Sequence, residues 1–138
     1  MDTPSPLIRL EDVSVRHREH VVLEGIQLED SQGELIYLIG RTGSGKSSLL
    51  RTLYGDLPLA SGTGSVCGVD LQQVKPKIVH QLRRKLGMVF QDFGLLEDRS
   101  VDANVDFAVQ ATGWTQRKKK AQRIEDVLTA VGLPNKGN

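Results

Sequence analysis

The stretch that decides the fold is Gly40-Arg41-Thr42-Gly43-Ser44-Gly45-Lys46-Ser47, with the spacing G-x-x-x-x-G-K-S. The apolar run at residues 35–39 precedes it and predicts a strand buried on both faces. Residues 48–54 follow it and predict a helix. A strand, a glycine-rich loop and a helix in this order are typical of a loop that binds the phosphates of a nucleotide.

The residue types of this loop fit an anionic ligand. Glycines at three positions let successive backbone N–H groups turn inward around a phosphate. Lys46 is the catalytic candidate, because its ammonium group can reach the β- and γ-phosphates, and the hydroxyl of Ser47 is the candidate magnesium ligand. The predicted cofactors are therefore ATP and Mg²⁺. The predicted nucleotide contacts in and beside the loop are Gly40, Arg41, Thr42, Gly43, Ser44, Gly45, Lys46, Ser47 and Ser48.

Length and composition indicate the class of protein to which the chain belongs. The chain has 138 residues, enough for one domain, with 38% hydrophobic residues, 25% charged residues and a net charge of +1. This balance gives no reason to expect a nucleic-acid partner. Neither a membrane-spanning run nor a secretion signal is recognisable, so a cytoplasmic location is expected. The single cysteine, Cys67, is expected to be a buried or half-buried strand residue without chemistry.

Apolar and polar residues alternate in residues 7–15 and 21–29, which predicts an antiparallel strand pair. Glycine, proline and serine at residues 55–64 predict a loop. The remaining predicted elements before the helical part are a short strand and turn at residues 65–71, one or two helical turns at 78–84, and a strand at 85–90 that ends in Gln91 and Asp92.

Helical spacing replaces alternation beyond residue 99. One apolar face, in a helix capped by Ser100 with Asp102 in its first turn, consists of Val101, Val105, Ala108 and Val109. A second, ending at Gly132, consists of Ile124, Val127, Leu128 and Val131. The basic run at residues 117–120 suits nucleic acid, an anionic membrane or a solvated face. The solvated face is favoured, because stacking aromatics are not interleaved with the cations.

Gln91 lies 45 positions after Lys46, within Val89-Phe90-Gln91-Asp92-Phe93-Gly94-Leu95-Leu96, and Asn104-Val105 follows. With this spacing and these neighbouring residues, the chain resembles the nucleotide-binding subunits of ABC transporters, from about residue 7 to residue 137. The resemblance implies that Gln91 is the Q-loop glutamine, a second magnesium ligand and a relay to the membrane partner. It also assigns His17 to the position that stacks on adenine and Val22 to the adenine pocket. An exposed loop histidine is the other interpretation of His17.

The implied fold is an α/β P-loop NTPase of ABC type, incomplete, with an antiparallel β subdomain, the phosphate loop with its helix, and the start of a helical subdomain. Residues 1–6 are expected to be a flexible N-terminus. Residues 7–138 are expected to be the N-terminal part of one ABC ATP-binding domain, whose helical subdomain begins at about residue 99. The family's signature, Walker B carboxylates and switch histidine are not found in the sequence, so this chain is expected to bind ATP without turnover.

Within the family, the chain is similar to the FtsE cell-division ATPases, which pair with the membrane protein FtsX. This implies a homodimer in the intact protein, held at the inner face of the membrane by an FtsX-like partner. Phe93, Leu95 and Leu96 are expected to line a groove of this chain in which the membrane partner docks. Alternatively, the two leucines pack inward between the sheet and the helices. Lipoprotein-release or exporter ATPases and a nucleotide-binding module without turnover are the alternatives. A small P-loop kinase or GTPase is disfavoured.

Overall fold

The computed structural model describes residues 5–134. The predicted flexible segment, residues 1–6, therefore lies outside the described residues except for its last two positions. The chain divides between Gly87 and Met88 into two compact units, and each is described by itself. None of the helices within residues 5–134 combines the length and apolar character needed to cross a bilayer.

The first unit is built on a four-stranded antiparallel sheet with the strand order β2-β1-β3-β4. The strands are β1 (Ile8–His17), β2 (His20–Glu29), β3 (Leu59–Val66) and β4 (Val69–Asp70). The predicted antiparallel pair at the start of the chain is confirmed as β1 and β2. Cys67 is half-buried, as expected, but it lies in the turn between β3 and β4 and not in a strand.

A bulge in β1 explains why the core residues of this strand do not simply alternate. Leu10, Val13 and Val15 are all buried, although Leu10 and Val13 are three positions apart. Asp12 lies between them with a φ of 50°, and the pairing of β1 with β3 shifts at this point. The extra residue of a bulge turns the following side chains to the other face of the sheet. Leu10 and Val13 therefore both face the core.

Two helices and a 3-10 turn cover the inner face of this sheet. They are α1 (Lys46–Leu53), the 3-10 turn Leu71–Gln73 and α2 (Val79–Arg83), so the predicted helix after the loop and the turns near residue 80 are both confirmed. Each contributes one fully buried leucine to the sheet's core, namely Leu49, Leu71 and Leu82. Their burial holds α1, and with it the loop that precedes α1, against the sheet.

The C-terminal end of α1 is tied to α2 by ionic contacts. Nε of Arg51 donates to Oδ2 of Asp56 over 2.7 Å, and this hydrogen bond raises the pKa of Arg51 above its ordinary value. Arg83 of α2 lies 3.7 Å from the other carboxylate oxygen of Asp56, and its Nε donates to the carbonyl of Tyr54. These exposed contacts fix the direction of α1 at the end opposite to the loop.

The predicted loop at residues 55–64 is wrong in its second half, because β3 begins at Leu59. Glycine is generally favoured in loops, but Gly62 lies within the strand β3. Its φ is 81°, and a Cβ atom at this position would collide with the backbone carbonyl of Asp12 in the β1 bulge. Only glycine allows the two backbones to approach this closely.

The predicted strands at residues 35–39 and 85–90 are both wrong. Residues 34–40 and 86–90 have no regular secondary structure. Apart from Leu86, which packs against the core, their apolar side chains are exposed, up to 90% for Ile39 and 87% for Val89. A central strand needs a neighbouring strand on each side to pair its backbone groups. Within residues 5–134, the sheet order includes neither segment. Their apolar runs are therefore unpaired here.

The second unit contains the helices α3 (Val101–Ala111) and α4 (Arg117–Ala130). Ser100 caps α3 as predicted, since its Oγ accepts from the N–H of Ala103, and Gly132 follows the end of α4 with a φ of 74°. The predicted apolar faces are confirmed at Val109 and Leu128, which are buried. The prediction is wrong for residues such as Val131, which is 63% exposed, because the contact between two helices covers only their facing sides.

Candidate nucleotide-binding site

The glycine-rich loop is open to solvent and leads directly into α1. Gly45 is the N-cap of α1 with a φ of 91°, and Gly43 has a φ of 81°. Both values lie in the left-handed region, which residues with a Cβ atom rarely adopt. The loop therefore takes a backbone conformation that requires glycine at two of the three predicted positions.

The side chain of Lys46 reaches back across the loop. Its Nζ donates to the carbonyl of Gly40 over 2.7 Å and to that of Arg41 over 2.8 Å, with Oγ of Ser44 at 3.5 Å. The N–H of Ser44 also donates to the carbonyl of Arg41 over 3.1 Å. These contacts close residues 40–46 into a ring that holds the ammonium group of Lys46.

Two glycines allow close approach within and beneath this ring. A Cβ atom at Gly40 would lie 2.7 Å from Oγ of Ser44, and one at Gly45 would lie 2.8 Å from Cγ of Leu23 and 3.0 Å from Cγ1 of Val22. The structure thus brings Val22, a residue predicted from the family resemblance, against the base of the loop. Leu23 was not predicted, although its apolar character in an alternating strand marked it as a core candidate.

The first turn of α1 presents unpaired polar groups. The first N–H groups of a helix have no partner within the helix, and the positive end of its dipole lies there. No acidic side chain occupies this turn. Ser47 is exposed, and its hydroxyl forms no hydrogen bond within the described part of the chain. Ser48 is half-buried, and its carbonyl accepts from Oγ1 of Thr52 over 3.0 Å, so its hydroxyl is not involved in that contact.

Two further predicted site residues belong to other segments of the chain. His17 is exposed at the end of β1, where it pairs across the hairpin with His20, and its contact with adenine stays a prediction. Gln91 lies in the second unit, in the exposed turn closed by the hydrogen bond from the N–H of Phe93 to the carbonyl of Phe90. Its role as a magnesium ligand also stays a prediction.

The turn after Gln91 is held in place by an unpredicted residue. Oδ1 of Asn104 accepts from the N–H of Leu96 over 2.8 Å, and its Nδ2 donates to the carbonyl of Leu96 over 3.0 Å. The same Nδ2 lies 3.3 Å from the carbonyl of Arg99 and 3.0 Å from that of Ser100. Asparagine is a weak helix former, so its presence in the first turn of α3 is the signal that could have indicated this role.

The residues of the loop fit a magnesium-bound nucleotide in the chemistry of their donors. Backbone N–H groups and one ammonium group suit phosphate oxygens, and the exposed hydroxyl of Ser47 suits a hard cation. Within residues 5–134 there is no cluster of three or more His, Cys, Asp or Glu placed to hold a metal ion. A magnesium ion at this site would therefore take most of its ligands from phosphate and water.

Comparison with known proteins agrees with this chemistry. Residues 23–138 match the family described as "ABC transporter". The chain belongs to this family. It is 39% identical over 116 residues to a methionine import ATP-binding protein, MetN 2, of Salmonella paratyphi A, a match that covers 84% of this chain and 34% of the relative. It is 36% identical over 131 residues to the cell division ATP-binding protein FtsE of Streptococcus pneumoniae, a match that covers 94% of this chain and 56% of the relative.

The fold is shared with solved members of the ABC family. The cbiO1 protein of Clostridium perfringens, part of the ABC transporter complex cbiONQ, superposes with a TM-score of 0.84 at 23% identity. The superposition covers 97% of this chain and 53% of cbiO1. The antiparallel sheet, the glycine-rich loop with α1 and the following helices thus form the N-terminal part of an ABC ATP-binding domain. The chain spans about a third to a half of the length of the relatives it matches.

Proposed function

We propose that this chain binds magnesium-ATP at residues 40–48 and serves as part of the ATP-binding subunit of an ABC-type membrane complex. The ring that Lys46 closes with the carbonyls of Gly40 and Arg41 is the observation that carries this proposal. It holds a cation in the loop that leads into the positive end of a helix, an arrangement that favours phosphate. Bound magnesium would supply positive charge against the phosphate oxygens, with Ser47 and Gln91 as its protein ligands.

The proposal divides roles among the chain's own residues. Lys46 binds the β- and γ-phosphates, and the loop amides orient them. Val22 lies against the loop and provides an apolar surface for a base, while His17 is the candidate for stacking on adenine. Stabilisation of charge and positioning are what phosphoryl transfer requires of a protein. The loop supplies part of both.

The test is calorimetric titration of the chain with magnesium-ATP. Lys46→Ala should reduce nucleotide binding to below detection, because the ammonium group that the ring holds is lost, and a charge-assisted hydrogen bond contributes ~1.5–3 kcal/mol. Lys75→Ala, an exposed lysine outside the loop, is the matched control and should bind as the wild type does. Equal affinity of the Lys46→Ala variant and the control would refute the site.

The proposed complex is FtsE-like, with a membrane partner similar to FtsX and a cell-division role at the cytoplasmic side of the membrane. The FtsE match supports this choice because it covers 94% of the chain, against 84% for the methionine importer. Two such subunits would form a homodimer. The exposed side chains of Phe93 (71%) and Leu95 (65%) support a docking role for the turn after Gln91. Leu96 is half-buried and bonded to Asn104, so it supports the turn.

The methionine importers give a second candidate function, carried by their slightly higher identity of 39%. Lipoprotein-release and exporter ATPases remain alternatives of the same kind. Co-purification of the protein with an FtsX-like membrane protein, and separately with a methionine permease, discriminates between the first two. Association with the permease alone would overturn the FtsE-like assignment and leave the nucleotide site unaffected.

A further inference from the structure

Trp114 and four cations form a cationic surface where α3 meets α4. This surface, the basic-tryptophan patch, consists of Trp114, Arg117, Lys118, Lys119 and Arg123. Trp114 is 40% exposed, and the guanidinium of Arg123 lies 5.9 Å from the centre of its ring. Trp114 and Lys119 also line an open depression of about 300 Å³. In the sequence Trp114 precedes these cations, whereas in the structure its amphipathic ring lies beside Arg123 and shares a depression with Lys119.

The four cations of the patch have no acidic partner in the part of the chain that the structure describes. Residues 111–124 contain Lys and Arg at five positions and neither Asp nor Glu. Of these five, Lys120 pairs with Asp106 over 2.6 Å. Within residues 5–134, the other four cations form no ion pair with an acidic group, and Arg117, Lys118 and Lys119 are exposed. A negative partner would therefore meet charges that are still available.

The position of these cations does not favour the helix that carries them. Three of them lie in the first turn of α4, at the positive end of its dipole, where acidic residues are preferred. No acidic residue lies in that turn, and Gln116 provides no side-chain cap. Lys119 and Arg123 are one turn apart, and like charges at this spacing repel. Helix stability thus gives no reason for this charge pattern, whereas an anionic partner does.

We propose that the basic-tryptophan patch docks on the surface of an anionic lipid bilayer. An indole ring has an apolar body and a polar N–H, and it is favoured at the level of lipid headgroups. Lysine and arginine around it attract the phosphates of anionic lipids over about one Debye length. A duplex nucleic acid is the less suitable partner, because it offers an exposed indole ring no apolar layer to enter, whereas a bilayer does.

The docking proposal goes beyond the proposed function and does not depend on it. It replaces the sequence-based expectation that residues 117–120 are only a solvated face. Lipid binding requires neither ATP nor the membrane partner, so it is measured with the chain alone. Failure of lipid binding would not affect the proposal of a nucleotide site. Failure of nucleotide binding would not affect the proposal of a lipid-binding patch.

The experiment uses the 138-residue chain and vesicles of phosphatidylcholine, either alone or mixed with an equal part of phosphatidylglycerol. Trp114 is the only tryptophan of the sequence, so its emission reports on the patch directly. We expect sedimentation of the chain with the anionic vesicles only, a shift of the tryptophan emission to shorter wavelength, and reversal of both by salt. Circular dichroism of every variant checks that the helices are retained.

Two double variants compare lysines inside and outside the patch. Lys118→Gln with Lys119→Gln should lower partition to anionic vesicles about 25-fold, because each cation near an anionic surface contributes about a factor of five. Lys75→Gln with Lys77→Gln removes the same charge from exposed positions of the first unit and should retain nearly full binding. Equal losses in the two variants, equal binding to neutral vesicles, or an unshifted tryptophan emission would overturn the proposal. So would a stronger response of Trp114 to duplex DNA than to vesicles.

Discussion

At the scale of single residues, the glycines of this chain do two different things that the sequence does not distinguish. Gly43 and Gly45 give the loop its left-handed backbone, as their spacing in the motif predicts. Gly62 lies in β3 and lets the bulge of β1 approach the backbone of β3. In the sequence, this glycine has the same appearance as one that marks a loop. Whether a glycine marks a turn or a close contact depends on the backbone opposite it, and that backbone lies about fifty positions away in the chain.

This difference predicts unequal costs for two alanine substitutions. Gly68→Ala places a Cβ at a φ of 73° with no atom within 4 Å, so it should lower the free energy of unfolding by ~1–2 kcal/mol. Gly62→Ala adds a collision with the backbone of Asp12, and the extra cost of such overpacking is ~1–3 kcal/mol. Urea denaturation of both variants measures the difference. Equal destabilisation would show that the contact between β1 and β3 relaxes freely.

At the scale of elements, a helix or strand is predicted correctly from the sequence when the residues that it pairs or packs with lie nearby in the chain. The hairpin of β1 and β2, the helix α1 and the N-cap of α3 were predictable, because their signals and partners are local. Residues 35–39 and 85–90 have strand-like composition but no pairing partner within residues 5–134. Apolar composition predicts burial only where a neighbouring strand exists. The ring formed by Lys46 was likewise beyond prediction in its geometry, though not in its residue types.

The turn after Gln91 is the element on which the proposed partner contact depends. Phe93 is 71% exposed, and the amide of Asn104 fixes the residues that follow it. In the protein assembled with its membrane partner, Phe93→Glu should weaken partner association about 30-fold and leave nucleotide affinity unchanged. The reason is that an aromatic anchor at an interface contributes ~2 kcal/mol or more. Pull-down of the partner and calorimetry with magnesium-ATP measure the two effects.

Phe107 provides the matched control for this substitution, since it is a 57% exposed phenylalanine on α3 in the same unit. Phe107→Glu makes the same chemical change outside the proposed docking turn and should leave the partner bound. If Phe93→Glu has no effect, or if both variants lose the partner equally, docking does not occur through Phe93.

At the scale of the whole molecule, the proposed function depends on the glycine-rich loop and on the turn after Gln91. The first unit provides a cation, loop amides and a hydroxyl, and the second provides Gln91 and a turn with exposed apolar side chains. The chain covers 34% of MetN 2 and 56% of FtsE. Nucleotide binding can therefore be measured with this chain alone. Transport or a role in cell division can be tested only with an assembled complex.

We accordingly expect this chain to bind magnesium-ATP and to hydrolyse it at no more than the background rate. No stretch after Gln91 has four apolar residues followed by Asp-Glu, so the sequence offers no candidate carboxylate to orient the attacking water. Positioning of the water and stabilisation of its developing charge contribute several kcal/mol, on the order of a thousandfold or more in rate. Phosphate release by the wild-type chain should therefore equal that of Lys46→Ala, although only the wild type binds nucleotide. A Lys46-dependent rate comparable with that of full-length FtsE would mean that a water-activating group exists among these residues.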